Sequence, residues 1–179
     1  SEAYIVSDEA LTGADVTLTG EVLAKLVEKQ GYGLVIAGAE SSDGGKGVIA
    51  PFIAELLDWP VLTNLTELTL EGDTVRATQA SDAATAQLEA QLPAVVSVAD
   101  EFADPRFPNF KGLMAAKKHE ITTWDLAAIG VTPEQVGLEH AATRVTGANE
   151  RAARTAGETV RGPESAAKVL AFLDDENLL

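Results

Sequence analysis

The chain has 179 residues, 46% of them apolar, 23% charged and 5% aromatic, and no cysteine. That suffices for one domain with an aliphatic core, and it excludes collagen, coiled coil, wholesale disorder, disulfides, thiolate zinc sites and cysteine nucleophiles. A formal charge of −15 repels phosphate backbones and anionic lipid, and no apolar run approaches the ~20 residues of a spanning helix, so a cytoplasmic protein without nucleic-acid partners or membrane insertion is expected.

Ala3-Tyr4-Ile5-Val6 reads as a strand. Asp15 is the N-cap of a helix in which Val16, Leu23, Leu26 and Val27 recur at helical intervals and which Gly31 and Gly33 stop. Leu34-Val35-Ile36-Ala37 is apolar on consecutive positions, the pattern of a strand covered on both faces. Ile49, Phe52, Ile53, Leu56 and Leu57 mark a second helix ending near Asp58-Trp59-Pro60. Strand, helix, strand, helix predicts βαβ crossovers and a parallel sheet.

Beyond Pro60 the pattern becomes a β-rich meander. Val61-Leu62-Thr63 and Leu65 to Leu70 are extended, Glu71-Gly72-Asp73 is a hairpin turn, and Val75 to Thr78, Gln87 to Leu92 and Pro93 to Val98 supply further strands. Helical spacing returns at Phe110, Leu113 and Met114, and Ile121 to Trp124 is extended. Arg144 to Gly162, poor in large apolar side chains, reads as a surface arm, and Pro163 is placed at the first position of a closing helix with the stripe Ala166, Val169, Leu170 and Leu173. The expected class is α/β, a Rossmann-like parallel sheet with a β-rich meander and a C-terminal arm plus helix. Residues 1–143 form the nucleotide-binding domain and 144–179 the arm.

Two segments stand out chemically. Gly38-Ala39-Glu40-Ser41-Ser42-Asp43-Gly44-Gly45-Lys46-Gly47, followed by Val48 and Ile49, joins a strand to a helix, where doubly wound sheets bind ligands. Its glycines bring backbone amides close to an anion. It lacks the Walker A order, and Gly45-x-Gly47-x-x-Ala50 matches only the loose dinucleotide fingerprint. The other segment is a basic island in an acidic chain, Arg106, Lys111, Lys117 and Lys118 against Glu120 alone between residues 105 and 121. Its chemistry is that of a docking segment or a solvated helix end. His119 and His140 lack the i, i+3 or i, i+4 partner of a histidine metal site, and no nucleophile elbow occurs, so neither a metal nor a catalytic residue is expected.

Gly38 to Pro60, Leu92-Pro93-Ala94-Val95-Val96-Ser97-Val98, Asp104-Pro105-Arg106-Phe107 with Lys111-Gly112-Leu113-Met114-Ala115-Ala116-Lys117-Lys118, and Arg154-Thr155-Ala156-Gly157 resemble, in order and spacing, the beta subunit of electron transfer flavoprotein. The resemblance implies a non-enzymatic half of a heterodimeric electron carrier. An alpha subunit would supply most of the FAD site, and this chain would hold a structural AMP through Gly38 to Ile49. It further implies that Ala99 to Glu120 is the segment docking to acyl-CoA or other flavin dehydrogenases. Phe110 would be its apolar anchor, beside Arg106, Lys111, Leu113, Met114, Lys117 and Lys118. The spacing of Phe110 to Leu113 and Met114 equally suits a core face. The match also implies that the chain starts at the family's third strand. Apart from the carrier, the alternative is a free-standing adenine-nucleotide-binding regulatory module.

Overall fold

The computed structural model describes residues 2–154 and 157–178; Thr155 and Ala156 of the last matching motif lie outside the described residues. The chain divides into two units, residues 1–144 and 145–179.

In the first unit, strand β1 (Tyr4–Val6) leads to helix α1 (Val16–Gln30), strand β2 (Leu34–Gly38) and helix α2 (Ile49–Leu57). Strands β3 (Val61–Glu71), β4 (Thr74–Ala80), β5 (Thr85–Gln91) and β6 (Ala94–Val98) follow, then helix α3 (Phe110–Ala116) and strand β7 (Thr122–Trp124). Helix α1 begins where expected because the Asp15 carboxylate accepts from the amides of Thr17 and Leu18, satisfying donors that have no partner inside the helix. It ends at Gly31, which takes φ +66, and the Gly31 N–H donates back to the Val27 carbonyl. Gly20 lets α1 lie close on α2, since a Cβ there would stand 2.9 Å from the Phe52 Cβ.

The main sheet has the order β2-β6-β3-β4-β5, with β2, β6 and β3 parallel and the β3-β4-β5 meander antiparallel. The hairpin between β3 and β4 turns at Gly72, φ +61, with Glu71 opposite Thr74. Strand β6 enters from the end of the meander and inserts between β2 and β3. Its Ala94, Val95 and Val96 are fully buried. Val95 packs under Ala50, Ile53 and Ala54 of α2, whereas Val96 joins Leu65, Val75 and Ala77. A third cluster joins Val22 of α1 to Leu126, Ile129, Val131 and Val136.

Three local expectations change. Strand β2 is not covered on both faces: it is an edge strand paired only with β6, and Ile36 is 59% exposed. An unbroken apolar run marks a strand but does not distinguish an edge from a centre. Strand β1 does not join β2 in one sheet, because its ladder is with β7, Tyr4 opposite Thr122, in a separate parallel pair. In the second unit, helix α4 (Ser165–Asp175) begins after Pro163, which lies in the preceding turn. The first amide-to-carbonyl bond of helical span there runs from Lys168 to Glu164, while the Ser165 amide and hydroxyl both donate to the Gly162 carbonyl. Val169, Leu170 and Phe172 of α4 are exposed.

Asp15 does more than cap. Its second carboxylate oxygen accepts from the Thr143 amide at 2.8 Å and the Thr143 hydroxyl at 2.9 Å, so one side chain ties residue 143 to the start of α1. The Thr17 hydroxyl above all holds this carboxyl well below its usual 3.8; burial opposes it as the next largest effect, and the Leu18 amide and the two Thr143 donors add to the lowering. The folded-state value is depressed, so the stabilisation is complete above the unfolded value and is lost as pH falls toward the folded one. Asp15→Ala is expected to lower unfolding free energy at pH 7 by about 1–2 kcal/mol. In urea titrations the gap between the two proteins should stay constant from pH 7 to pH 5 and shrink below the ordinary aspartate value.

Candidate functional site

The parallel strands β2 and β6 end on the same side of the sheet, beside the bulge of β3 at Asn64, and the chain leaves them in different directions. From β2 it runs through the glycine loop into α2, and from β6 it enters a single-turn helix at Asp100–Phe102. Divergence of connections at strand carboxyl ends opens a crevice. Here the crevice is a cleft of about 610 Å³ lined by Gly38, Ala39, Glu40, Gly47, Asn64, Val98, Ala99 and Asp100.

Four of the loop residues expected to bind a ligand therefore reach the cleft: Gly38, Ala39, Glu40 and Gly47. Val48 and Ile49 stand at the start of α2, with no side-chain cap at Val48 and no acidic residue in the first turn. The third helical position is Pro51, which has no N–H. The amides of Val48, Ile49 and Ala50 thus have no side-chain cap, at the helix end whose partial charge is positive, and Gly47 just before them is the loop residue that lines the cleft. Gly47 adopts φ +63, and a Cβ there would approach the Ala39 carbonyl at 3.4 Å. A Cβ added at Gly38 would meet only open space.

Ser41, Ser42, Asp43, Gly44, Gly45 and Lys46 form an exposed arc outside the cleft lining. Its amides serve the loop itself. The Gly44 N–H donates to the Asp43 carboxylate at 2.7 Å and to the Ser41 hydroxyl at 3.2 Å, and the Gly45 N–H donates to the Ser41 carbonyl at 2.9 Å. The Gly44 amide, with the Ser41 hydroxyl, holds the Asp43 carboxyl below its usual value. Sequence reasoning assigned this arc to the ligand because of its glycines, while the cleft draws on the residues flanking it.

Asn64 and Val98 complete the cleft and escaped the sequence reading as site residues, and Ala99 and Asp100 were assigned only to the docking segment. One signal was available for Asn64: it interrupts the extended run from Val61 to Leu70, and asparagine tolerates the left-handed conformation. Asn64 has φ +53. The signal for Val98 to Asp100 is their place at the carboxyl end of a buried strand.

The basic island lies elsewhere on the surface of the unit. Asn109 caps α3, its side chain accepting from the Gly112 amide at 2.8 Å. Arg106, Lys111, Lys117 and Lys118 are exposed, and so are Phe110 at 78%, Leu113 and Met114. Phe110 is therefore not a core residue of this chain, although its spacing allowed that reading. Phe107, 95% exposed, adds a second aromatic to the segment. His119 and His140 are exposed, and among the described residues no group of three or more acidic or histidine side chains is arranged to hold a metal.

The electron transfer flavoprotein domain matches residues 1–129. The chain is 44% identical over 160 residues to the electron transfer flavoprotein subunit beta of Mycobacterium tuberculosis, an alignment covering 89% of this chain and 60% of that protein. It is 32% identical over 151 residues to the subunit of the same name from Megasphaera elsdenii, covering 80% and 56%. It is 30% identical over 182 residues to subunit CarD of the caffeyl-CoA reductase-Etf complex of Acetobacterium woodii, covering 99% and 70%. The chain thus spans about 60% of the length of the mycobacterial relatives. With the α/β sheet, the domain match and these identities in agreement, the chain belongs to the electron transfer flavoprotein beta-subunit family.

Proposed function

We propose that this chain is part of the beta subunit of a cytoplasmic, heterodimeric electron transfer flavoprotein. FAD is shared with an alpha subunit, a structural AMP occupies the cleft, and electrons arrive from acyl-CoA or other flavin dehydrogenases. The observation that carries the nucleotide reading is the cleft at the ends of β2 and β6, lined by Gly47 just before the uncapped start of α2. Its residues fit AMP. Gly38 and Gly47 keep side chains out of the wall, and the free amides of α2 suit a phosphate. Glu40 and Asp100 place carboxylates where ribose hydroxyls can donate. The flavin supplies the redox chemistry when bound. This chain's part is to bind and position, and no side chain acts as acid, base or nucleophile.

Gly38→Leu tests the cleft. Gly38 is not in the left-handed region and faces open space, so the substitution leaves the fold intact while filling the cleft. Calorimetry should show AMP affinity reduced tenfold or more, about 1.4 kcal/mol, at unchanged melting temperature; equal AMP affinity in the two proteins would place the nucleotide elsewhere. Isolation from a native source separates the carrier from the free-standing module. A yellow complex of two subunits is the carrier, and a colourless monomer that binds AMP is the module.

The exposed Phe110 among basic side chains supports the docking role, since an aromatic anchor in a partner's pocket concentrates binding energy and rim charges steer the encounter. Phe110→Ala in the flavin-loaded heterodimer should weaken dehydrogenase binding by roughly 2 kcal/mol. The flavin spectrum and melting temperature should hold, because little of Phe110 is buried; a large fall in melting temperature would overturn the assignment. The exposed Val169, Leu170 and Phe172 of α4 support packing of residues 144–179 on the alpha subunit. Each large aliphatic buried there is worth roughly 1.5–3 kcal/mol. Removing residues 163–179 should therefore weaken subunit association by a factor of ten or more in sedimentation equilibrium, and unaltered association would leave α4 without that role.

A further inference from the structure

Asp43-Gly44 is the sole Asp-Gly step in the chain, and no Asn-Gly step occurs. It lies at the tip of the exposed arc between β2 and α2, in a turn over residues 42–44. The Asp43 carboxylate is folded back onto the amide of the very next residue, the Gly44 N–H donating to it at 2.7 Å. Among the described residues no backbone carbonyl accepts that N–H, and glycine has no Cβ to keep a carboxyl away. The nitrogen and the carboxyl group that would close a five-membered ring are therefore already in contact. The Ser41 hydroxyl accepts from the same N–H at 3.2 Å. The Gly45 N–H, donating at 2.9 Å to the Ser41 carbonyl, fixes Ser41 beside it.

We propose that Asp43 is a self-modification site, at which the Gly44 nitrogen closes on the side-chain carboxyl and the chain reopens as isoaspartate. The Gly44 nitrogen bonds to Asp43 Cγ as the bond from Cγ to one carboxyl oxygen breaks. The hydroxyl of the neutral carboxyl leaves as water with the amide proton, which passes through the Ser41 hydroxyl. A water molecule then adds to either carbonyl of the ring. Addition at Cγ restores aspartate. Addition at the main-chain carbon leaves the backbone running through Cβ and Cγ, one atom longer, with a free α-carboxylate. No oxidant or cofactor enters, and the charge is unchanged. The arc is nevertheless lengthened between Glu40 and Gly47, which both line the cleft, and the exposed α-carboxylate becomes a substrate for an S-adenosylmethionine-dependent isoaspartyl methyltransferase.

Two effects oppose each other at Asp43. The bond from Gly44 favours the ionised carboxyl, and only the neutral form reacts, which makes the conversion slow. Contact favours ring closure, because an unfolded chain must first freeze the side chain and the peptide unit in that arrangement. The folded arc is thus expected to convert faster than the same sequence unfolded.

The chain is aged at neutral pH, once folded and once unfolded in guanidinium, and then methylated with isoaspartyl methyltransferase and radioactive S-adenosylmethionine. Fragmentation of the tryptic peptide Gln30–Lys46 locates the modified residue. The methyl label should fall on Asp43 and accumulate roughly tenfold faster in the folded chain. Ser41→Ala should slow it about fivefold, the weight of one ordinary hydrogen bond, at unchanged melting temperature. Asp43→Glu, which would have to close a six-membered ring, should abolish it. A folded rate no faster than the unfolded one overturns the proposal, because the lability would then belong to the dipeptide and not to the fold. Label that survives Asp43→Glu undiminished overturns it equally, and a Ser41→Ala chain labelled as fast as the wild type overturns the part given to Ser41.

Discussion

Burial of β6 on both faces is the constraint on which the rest of the main sheet depends. A parallel strand between two others has every ladder position occupied and must be apolar above and below. Ala94, Val95 and Val96 meet that demand with complete burial, Val95 under α2 and Val96 against the meander residues Leu65, Val75 and Ala77. Each valine contributes roughly 1.5–3 kcal/mol, a sizeable part of the ~5–15 kcal/mol by which a domain is stable. Strand β6 thus ties α2 to the meander, alongside the direct packing of α2 on β3. The same insertion brings the carboxyl ends of β2 and β6 beside the bulge of β3, so the cleft follows from the core packing.

The junction between the crossover and the meander is where regular structure gives way. Strand β3 must serve a parallel neighbour near Val61 and an antiparallel one by Leu65, and it carries an irregular register against each: between Leu62 and Leu65 on the β6 side, and between Leu65 and Glu67 on the β4 side. The strain falls on Asn64, and the compensating hydrogen bond comes from Ser97, a polar residue in the middle of an apolar strand. A buried hydroxyl without a partner would be costly. Here it accepts an amide that the bulge would otherwise strand. Gln79 supports the same segment, its amide donating to the Thr63 carbonyl at 2.6 Å.

What could be read in advance follows the range of the interactions. Helix α1 was legible to the residue, because Asp15 and Gly31 act within a few positions of themselves, and the hairpin at Gly72 is equally local. The exposure of Ile36 was not legible, since whether an apolar strand lies at a sheet edge depends on which distant strands join it. The pairing of β1 with β7 spans more than a hundred residues and has no local signature. At the site, the glycine loop advertised itself by composition, yet the amides of Gly44 and Gly45 turn inward to Ser41 and Asp43. Asn64 and Asp100, which complete the cleft, belong to segments whose neighbourhood exists only after the sheet has formed. Local chemistry thus predicted elements well and surfaces poorly.

Charge is divided between the two proposed surfaces in a way that assigns them different tasks. The chain as a whole carries −15, and the cleft wall adds Glu40 and Asp100, so an anionic ligand gains nothing from the overall field. Its binding must come from directed donors acting at hydrogen-bond distance, where solvent ions screen little. The docking segment works the other way. Arg106, Lys111, Lys117 and Lys118 are exposed, and at physiological ionic strength their field decays over roughly 8 Å. Such charges orient an approaching acidic rim and raise the encounter rate, but contribute little once the surfaces touch. Affinity there must then reside in Phe107 and Phe110, whose apolar surface is already exposed and loses water only when a partner covers it. A carrier of the kind proposed would need fast association and moderate affinity, which a few exposed aromatics ringed by screened charge would provide.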